Sequence, residues 1–184
     1  MTLPPLWPVF DGHNDLLLNL WLQHDDDPAA AFYSRVTPGH LDFSRMRRGG
    51  FFGGLFAVFI PPVSYIAQMR NQTQDEAQAA FDPLAIAERQ IAILQQLEQA
   101  SQGRLRICRT ATEIEQCRLN RQIAAVLHIE GAGMIDAELT QLEAFYRLGV
   151  RSIGPFWNLP NAFGTGVSGP FPGSPDTGPG LTPA

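Results

Sequence analysis

The sequence predicts an α/β protein organised on a parallel sheet or barrel, and three observations carry that prediction. Short β-branched or aromatic runs alternate with longer segments whose apolar residues recur at helical spacing. Prolines and glycines close those runs, as Pro61 and Pro62 do after one strand and Gly103 and Gly149 after two helices. The composition, 45% hydrophobic and 17% charged over 184 residues, is that of one globular domain able to bury a sizeable core.

Val9 and Phe10 form a short first strand, followed by the polar run Asp11 to Asp15 and a helix beginning near Leu16. Up to residue 50 the chain reads as loop and short helix. Phe51 to Ile60 is the second strand, where Gly53 and Gly54 allow close backbone approach. Asp82 is a good N-cap with Pro83 at the first helical position, and Ile86, Ile93, Leu94 and Leu97 then make an apolar stripe. Leu105 to Cys108 is the third strand. Thr110 and Glu113 have the spacing of a capping box for a helix reaching about Leu119. Ile123 to Ile129 is the fourth strand. Leu139, Leu142, Phe145, Tyr146 and Leu148 line one face of a further helix, and Val150 to Ile153 begins the fifth strand. From Gly164 onward the composition turns to Gly, Pro, Ser and Thr without period, which fits either a terminal linker or a long loop over a barrel mouth.

The net charge of −5, with its cations scattered, offers no stripe for a phosphate backbone, so nucleic acid is not an expected partner. The start MTLPPLWPVF holds three prolines and no basic region, and no later stretch suits a transmembrane span, so a cytoplasmic location is expected. Cys108 and Cys117 give neither a disulfide framework nor a closely spaced zinc pair and read as ordinary buried thiols.

Chemistry gathers at two places. His13 and Asp15 stand two positions apart, and in an extended segment that spacing turns both side chains the same way, where each can reach one cation. Imidazole and carboxylate are donors that zinc accepts, although Asp15 and Asn14 are also ordinary helix caps. The fourth strand, IAAVLHIEGAG, stays apolar until His128 and Glu130, so a second carboxylate reaches the C-terminal end of a strand, where β/α barrels collect catalytic groups. Alternation turns His128 the same way as Glu130 but one pleat deeper, which suits a hydrogen-bonded supporting histidine. His24, followed by Asp25, Asp26 and Asp27, reads as part of a solvated acidic loop, and His40 as a capping or packing residue.

DGHND after the first strand, HLDFSRMRRGGFFGGLFAVF over residues 40 to 59, HIEGA at 128 to 132, YRLGVRSI at 146 to 153 and the terminal GLTPA resemble, in that order, the membrane (renal) dipeptidase family. The resemblance covers nearly the whole chain. It implies the N-terminal part of a (β/α)₈ TIM-like barrel of the metallo-dependent hydrolase type, with residues 1 to 163 as about five βα units and 164 to 184 as a Gly/Pro-rich loop or tail. It also implies a zinc-dependent dipeptidase acting on dipeptides or small amides. Two Zn²⁺ ions complete such a site. His13 and Asp15 match ligands of one ion, Glu130 matches the carboxylate bridging both, and a metal-bridging water attacks the peptide carbonyl. The second ion's two histidines, an aspartate and an arginine come from later strands of the family and have no counterpart here. One departure stands out: Trp157 occupies the place of a histidine that helps hold the substrate carbonyl. Its indole N–H is one donor, and the alternative is apolar packing under the loop. A non-catalytic relative that binds at most one metal, a half-barrel that docks on a partner, and a homodimer all stay open. The 184 residues alone are expected to show no turnover.

Overall fold

The computed structural model describes residues 7–34, 39–157, 159–166, 180–181 and 183. In chain order the elements are β1 (Val9–Asn14), α1 (Leu16–Gln23), α2 (Pro28–Ser34), α3 (Phe43–Arg48), β2 (Phe51–Phe59), α4 (Val63–Arg70), α5 (Gln74–Ala79), α6 (Pro83–Ala100), β3 (Leu105–Ile107), α7 (Ala111–Leu119), β4 (Ile123–Glu130), α8 (Leu142–Leu148) and β5 (Val150–Gly154). Every strand pair is parallel, as chain crossovers through helices require.

The sheet runs β1, β2, β4, β3, and β5 also pairs with β4. β2 pairs directly with β4 from Gly53 opposite Ala124 to Phe59 opposite Glu130. β3 therefore does not stand between them. Its three residues pair with Ile123, Ala124 and Ala125, the first half of β4, whereas β5 pairs with Leu127 to Glu130, the second half. β3 and β5 thus share one edge of β4, which is possible because β3 has only three residues.

Alternation along β4 assigns its two faces. Ile123, Ala125, Leu127 and Ile129 join Phe56 and Val58 of β2 in the large core, together with α1 and α6. α6 begins as its sequence dictates: Asp82 accepts from the backbone N–H groups of Leu84 and Ala85, Pro83 opens the first turn, and Ile86, Ile93, Leu94 and Leu97 are buried. Seven buried residues on one 18-residue helix make it the main cover of this outer face.

The other face carries Ala124 and Val126 low on β4. α7 covers them there, burying Cys117 beside Cys108, with Leu55 and Ile114 at the margin. The capping box read from Thr110 and Glu113 is formed at the start of α7. A second one, Thr73 with Glu76, starts α5; its Thr-x-x-Glu spacing was equally legible. Gly53 is needed beside this small-residue floor, since a Cβ there would come within 2.8 Å of the Ala124 carbonyl oxygen.

α8 is shorter than its apolar pattern suggests. Leu139 lies outside it with φ +60°, and Leu139 and Tyr146 are exposed while Phe145 is buried. β5 is the last described strand of the sheet, so only one side of α8 has a sheet to pack on. The acidic run after His24 is more than a solvated loop: Asp25 pairs with Arg89 and Arg70, and Asp27 accepts from the Ala30 N–H at the start of α2. Most of the Gly/Pro-rich segment, and the residues before Trp7, lie outside the described residues. Leu181, which is described, bridges back to Gly164. No helix among the described residues is long and apolar enough to cross a membrane.

Candidate metal centre

β1 runs through Asn14 rather than stopping at Phe10, so the DGHN motif is itself strand. Its register against β2 shifts between Asp11 and Asn14, an irregularity of the kind that re-aims a side chain. Asn14 is buried and makes the turn: its amide donates to the Leu55 carbonyl (3.1 Å) and to Asp11 Oδ2 (3.2 Å), and its Oδ1 accepts from the Leu16 N–H (3.4 Å). Sequence reasoning assigned Asn14 no role beyond capping. Asp15 occupies the cap position of α1 yet makes no side-chain cap bond. Its carboxylate is left for other work.

That carboxylate meets an imidazole and a second carboxylate. His13 Nε2 lies 3.4 Å from Asp15 Oδ1 and 3.3 Å from Glu130 Oε2. One donor atom from each residue falls within 4.8 Å of the others. Glu130 is the last residue of β4, opposite Phe59 and Gly154, and the chain turns away at Gly131 with φ +76°. Two strands separated by more than a hundred residues thus deliver three ligand-type groups to one point at their C-terminal ends.

The surroundings favour a cation there. Burial pushes the Glu130 carboxyl above its usual range, His13 pulls it down and Asp15 pushes it up again. Two carboxylates around one imidazole nitrogen leave negative charge that a divalent ion would neutralise. One nitrogen and two oxygens are donors suited to zinc. The residues fit the ion.

His128 lies behind this group, as its pleat position implied. Its Nδ1 is 2.9 Å from Ser152 Oγ on β5, and its ring stands edge-on to His13 with centroids 5.7 Å apart. Burial, then the neighbouring His13, holds its imidazole below the usual histidine range. Ser152 carried no signal in the sequence; it is found only through the register of β5 against β4.

Trp157 is half-exposed and packs edge-on against Phe59, with ring centroids 5.8 Å apart. Together with Tyr65, Leu18, Asp15 and Glu130 these rings line a cavity of about 420 Å³ beside the ligand group. Phe59 is held from behind by the buried Gln90, whose amide accepts from the Phe59 N–H (3.1 Å) and donates to its carbonyl (2.7 Å). His24 and His40 are not part of the three-ligand group, although they line a cleft that His13 and Asp15 also line. His40 makes no cap; Asp42 caps α3 by accepting from the Arg45 N–H at 2.7 Å.

A family model described as membrane dipeptidase, peptidase family M19, matches residues 3–184. A protein of Acinetobacter calcoaceticus, known by its place in the PQQ-III 3′ region, is 44% identical over 179 residues, 95% of this chain and 56% of that protein. Dipeptidase verJ of Clonostachys rogersoniana is 28% identical over 170 residues, 90% of this chain and 42% of that enzyme. Among solved structures, a metallo peptidase from Rhodobacter sphaeroides, liganded with a phosphinate mimic of the dipeptide L-Ala-D-Ala, superposes with a TM-score of 0.82 at 38% identity. The match covers 97% of this chain and 54% of that one. The chain spans about half the length of the relatives it matches.

Proposed function

The chain belongs to the membrane dipeptidase family, peptidase family M19, and on that premise we propose that it supplies part of the active site of a zinc-dependent dipeptidase. The observation that carries this reading is the convergence of His13, Asp15 and Glu130 on one point. A divalent ion, if held by these three residues, would supply Lewis-acid chemistry for peptide hydrolysis.

The chain's own residues have separate tasks in this reading. His13 would hold the ion through Nε2, the nitrogen that faces both carboxylates. Asp15, free of any capping duty, would be a second ligand. Glu130, at the strand end, would be the third. His128, tied to Ser152, buttresses the His13 ring and fixes its plane. The Phe59 and Trp157 rings wall the cavity against water, and the indole N–H offers one donor toward a substrate carbonyl. Dipeptides are the proposed substrates, in line with the dipeptide mimic bound by the Rhodobacter relative. The described residues contain one convergent group of three ligands, so the remaining ligands of a two-ion site come, on this reading, from the part of the relatives that this chain does not span.

The test uses a full-length family protein that contains these residues. L-Ala-D-Ala hydrolysis should vanish after chelation and return with Zn²⁺, and Glu130→Gln should cost about a hundredfold or more in kcat/KM. Activity that survives chelation, or a fully active Glu130→Gln enzyme, would sink the proposal.

A further inference from the structure

Two thiols lie in contact below the ligand group, and nothing in the proposed reaction uses them. Cys108 follows β3 and Cys117 belongs to α7; both are fully buried, and their sulfurs are 3.5 Å apart. We propose that Cys108 and Cys117 are a modification site, forming a reversible intramolecular disulfide by exchange with a low-molecular-weight disulfide and so locking α7 onto the sheet it covers.

Geometry and packing both support this. A disulfide has its sulfurs about 2.05 Å apart, so closure needs an approach of roughly 1.5 Å between two side chains already facing each other. Their surroundings are Ala124, Val126, Leu55 and Ile114, none of which offers either sulfur a competing partner. Among the described residues the other polar contact at the two sulfurs is a weak one from the Cys108 thiol to the Arg106 carbonyl oxygen, 3.6 Å away.

Access comes through α7. Cys117 is the one residue that α7 buries, and its cluster is separate from the large core behind the sheet. Ile114 adds one half-buried contact to the same small cluster, and the rest of what holds α7 is polar and near the surface: the Thr110 and Glu113 capping box and the Arg106 to Glu113 ion pair. A helix anchored this lightly opens locally while the core stays folded. In the closed state burial pushes both thiols above their usual range and so keeps them protonated and inert.

On opening, the Cys117 thiol loses its proton to solvent and the thiolate attacks one sulfur of the reagent. The reagent's S–S bond breaks and one thiolate leaves. Cys108, deprotonated in turn, attacks the Cys117 sulfur of the mixed disulfide and expels the second thiolate. The two protein thiols are oxidised and one reagent disulfide is reduced to two thiols.

The experiment exposes the reduced full chain to oxidised glutathione in native buffer, alkylates under denaturing conditions and measures masses and peptides. The expected product is lighter by two hydrogens, has no alkylated cysteine, yields one cross-linked peptide pair and reverts with dithiothreitol. Cys108→Ser should stop at a glutathione adduct on Cys117. Independently of any variant, amide exchange within α7 should be roughly tenfold slower in the oxidised chain. Two stable glutathione adducts on the unsubstituted chain, two thiols that stay free, cross-links only between chains, or α7 exchange unchanged by oxidation would each overturn the proposal.

Discussion

The lower and upper halves of one face of β4 are built for opposite ends. Ala124 and Val126 lie under α7, buried among thiols and small apolar side chains, while His128 and Glu130, the next residues on the same face, stand partly exposed among polar groups. Burial acts on titratable groups in both places. In the lower half it raises the Cys108 and Cys117 thiols and outweighs the opposing pull of Arg106, so they stay neutral. In the upper half it raises Glu130, but His13 opposes it, so ionisation costs less where a cation can bind. One strand can thus seal one end of its face with shape and open the other with charge, because every second residue returns to the same side.

The largest test of that contrast places charge in the sealed half. Val126→Asp should remove about 4 kcal/mol or more of stability, since a carboxylate would be enclosed among apolar side chains and thiols that are at most weak donors. A denaturant melt near that of the unsubstituted chain would show that the lower half is not dry. By contrast Glu130→Gln should leave the melt almost unchanged while weakening Zn²⁺ or Co²⁺ binding about a hundredfold, read by calorimetric titration. If both substitutions unfold the chain, the two halves are not separable. Gly53→Ala should cost about 1 to 3 kcal/mol, because the new Cβ meets the Ala124 carbonyl oxygen at 2.8 Å and the Phe10 ring at 2.9 Å. A neutral result would mean that β1 and β4 yield easily around this position.

The smallest effect is pH-dependent, and its sign differs between the halves. The Arg109 N–H, ahead of Arg106 and Thr110, holds the Glu113 carboxyl below its usual range. A depressed carboxyl contributes stability above its unfolded pKa and loses it as pH falls through the folded one, so α7 should loosen on acidification below about pH 4. Glu130 is raised, so its protonated form is favoured and metal-free stability should fall as pH rises through its titration. Amide exchange along α7 across this range reads the first effect, and Glu113→Gln should flatten it.

Much of this was legible because it depends on neighbours in sequence. The capping boxes, the Pro83 start of α6, the buried stripe on that helix and the polar turn of the strand-four pattern at His128 and Glu130 are all local rules. Alternation alone put His13 and Asp15 on one side and His128 one pleat below Glu130. The contact between the two thiols was not legible, since β3 and α7 are brought together by pairing with β4 rather than by spacing. The same holds for Gln90, a polar residue on an apolar helix, whose use is visible only once the end of β2 is seen beside it.

By itself, then, the sequence determined the α/β class, the helix starts and the identity of three ligand-type side chains at strand ends, because propensity, capping and period are set within a few residues. Tertiary structure alone decided that β2 pairs with β4 while β3 stands aside, that Asp15 is released from capping by Asn14, and that His13 and Glu130 meet at 3.3 Å. Those outcomes rest on register between strands far apart in the chain, and register is fixed by how whole faces pack rather than by any one segment.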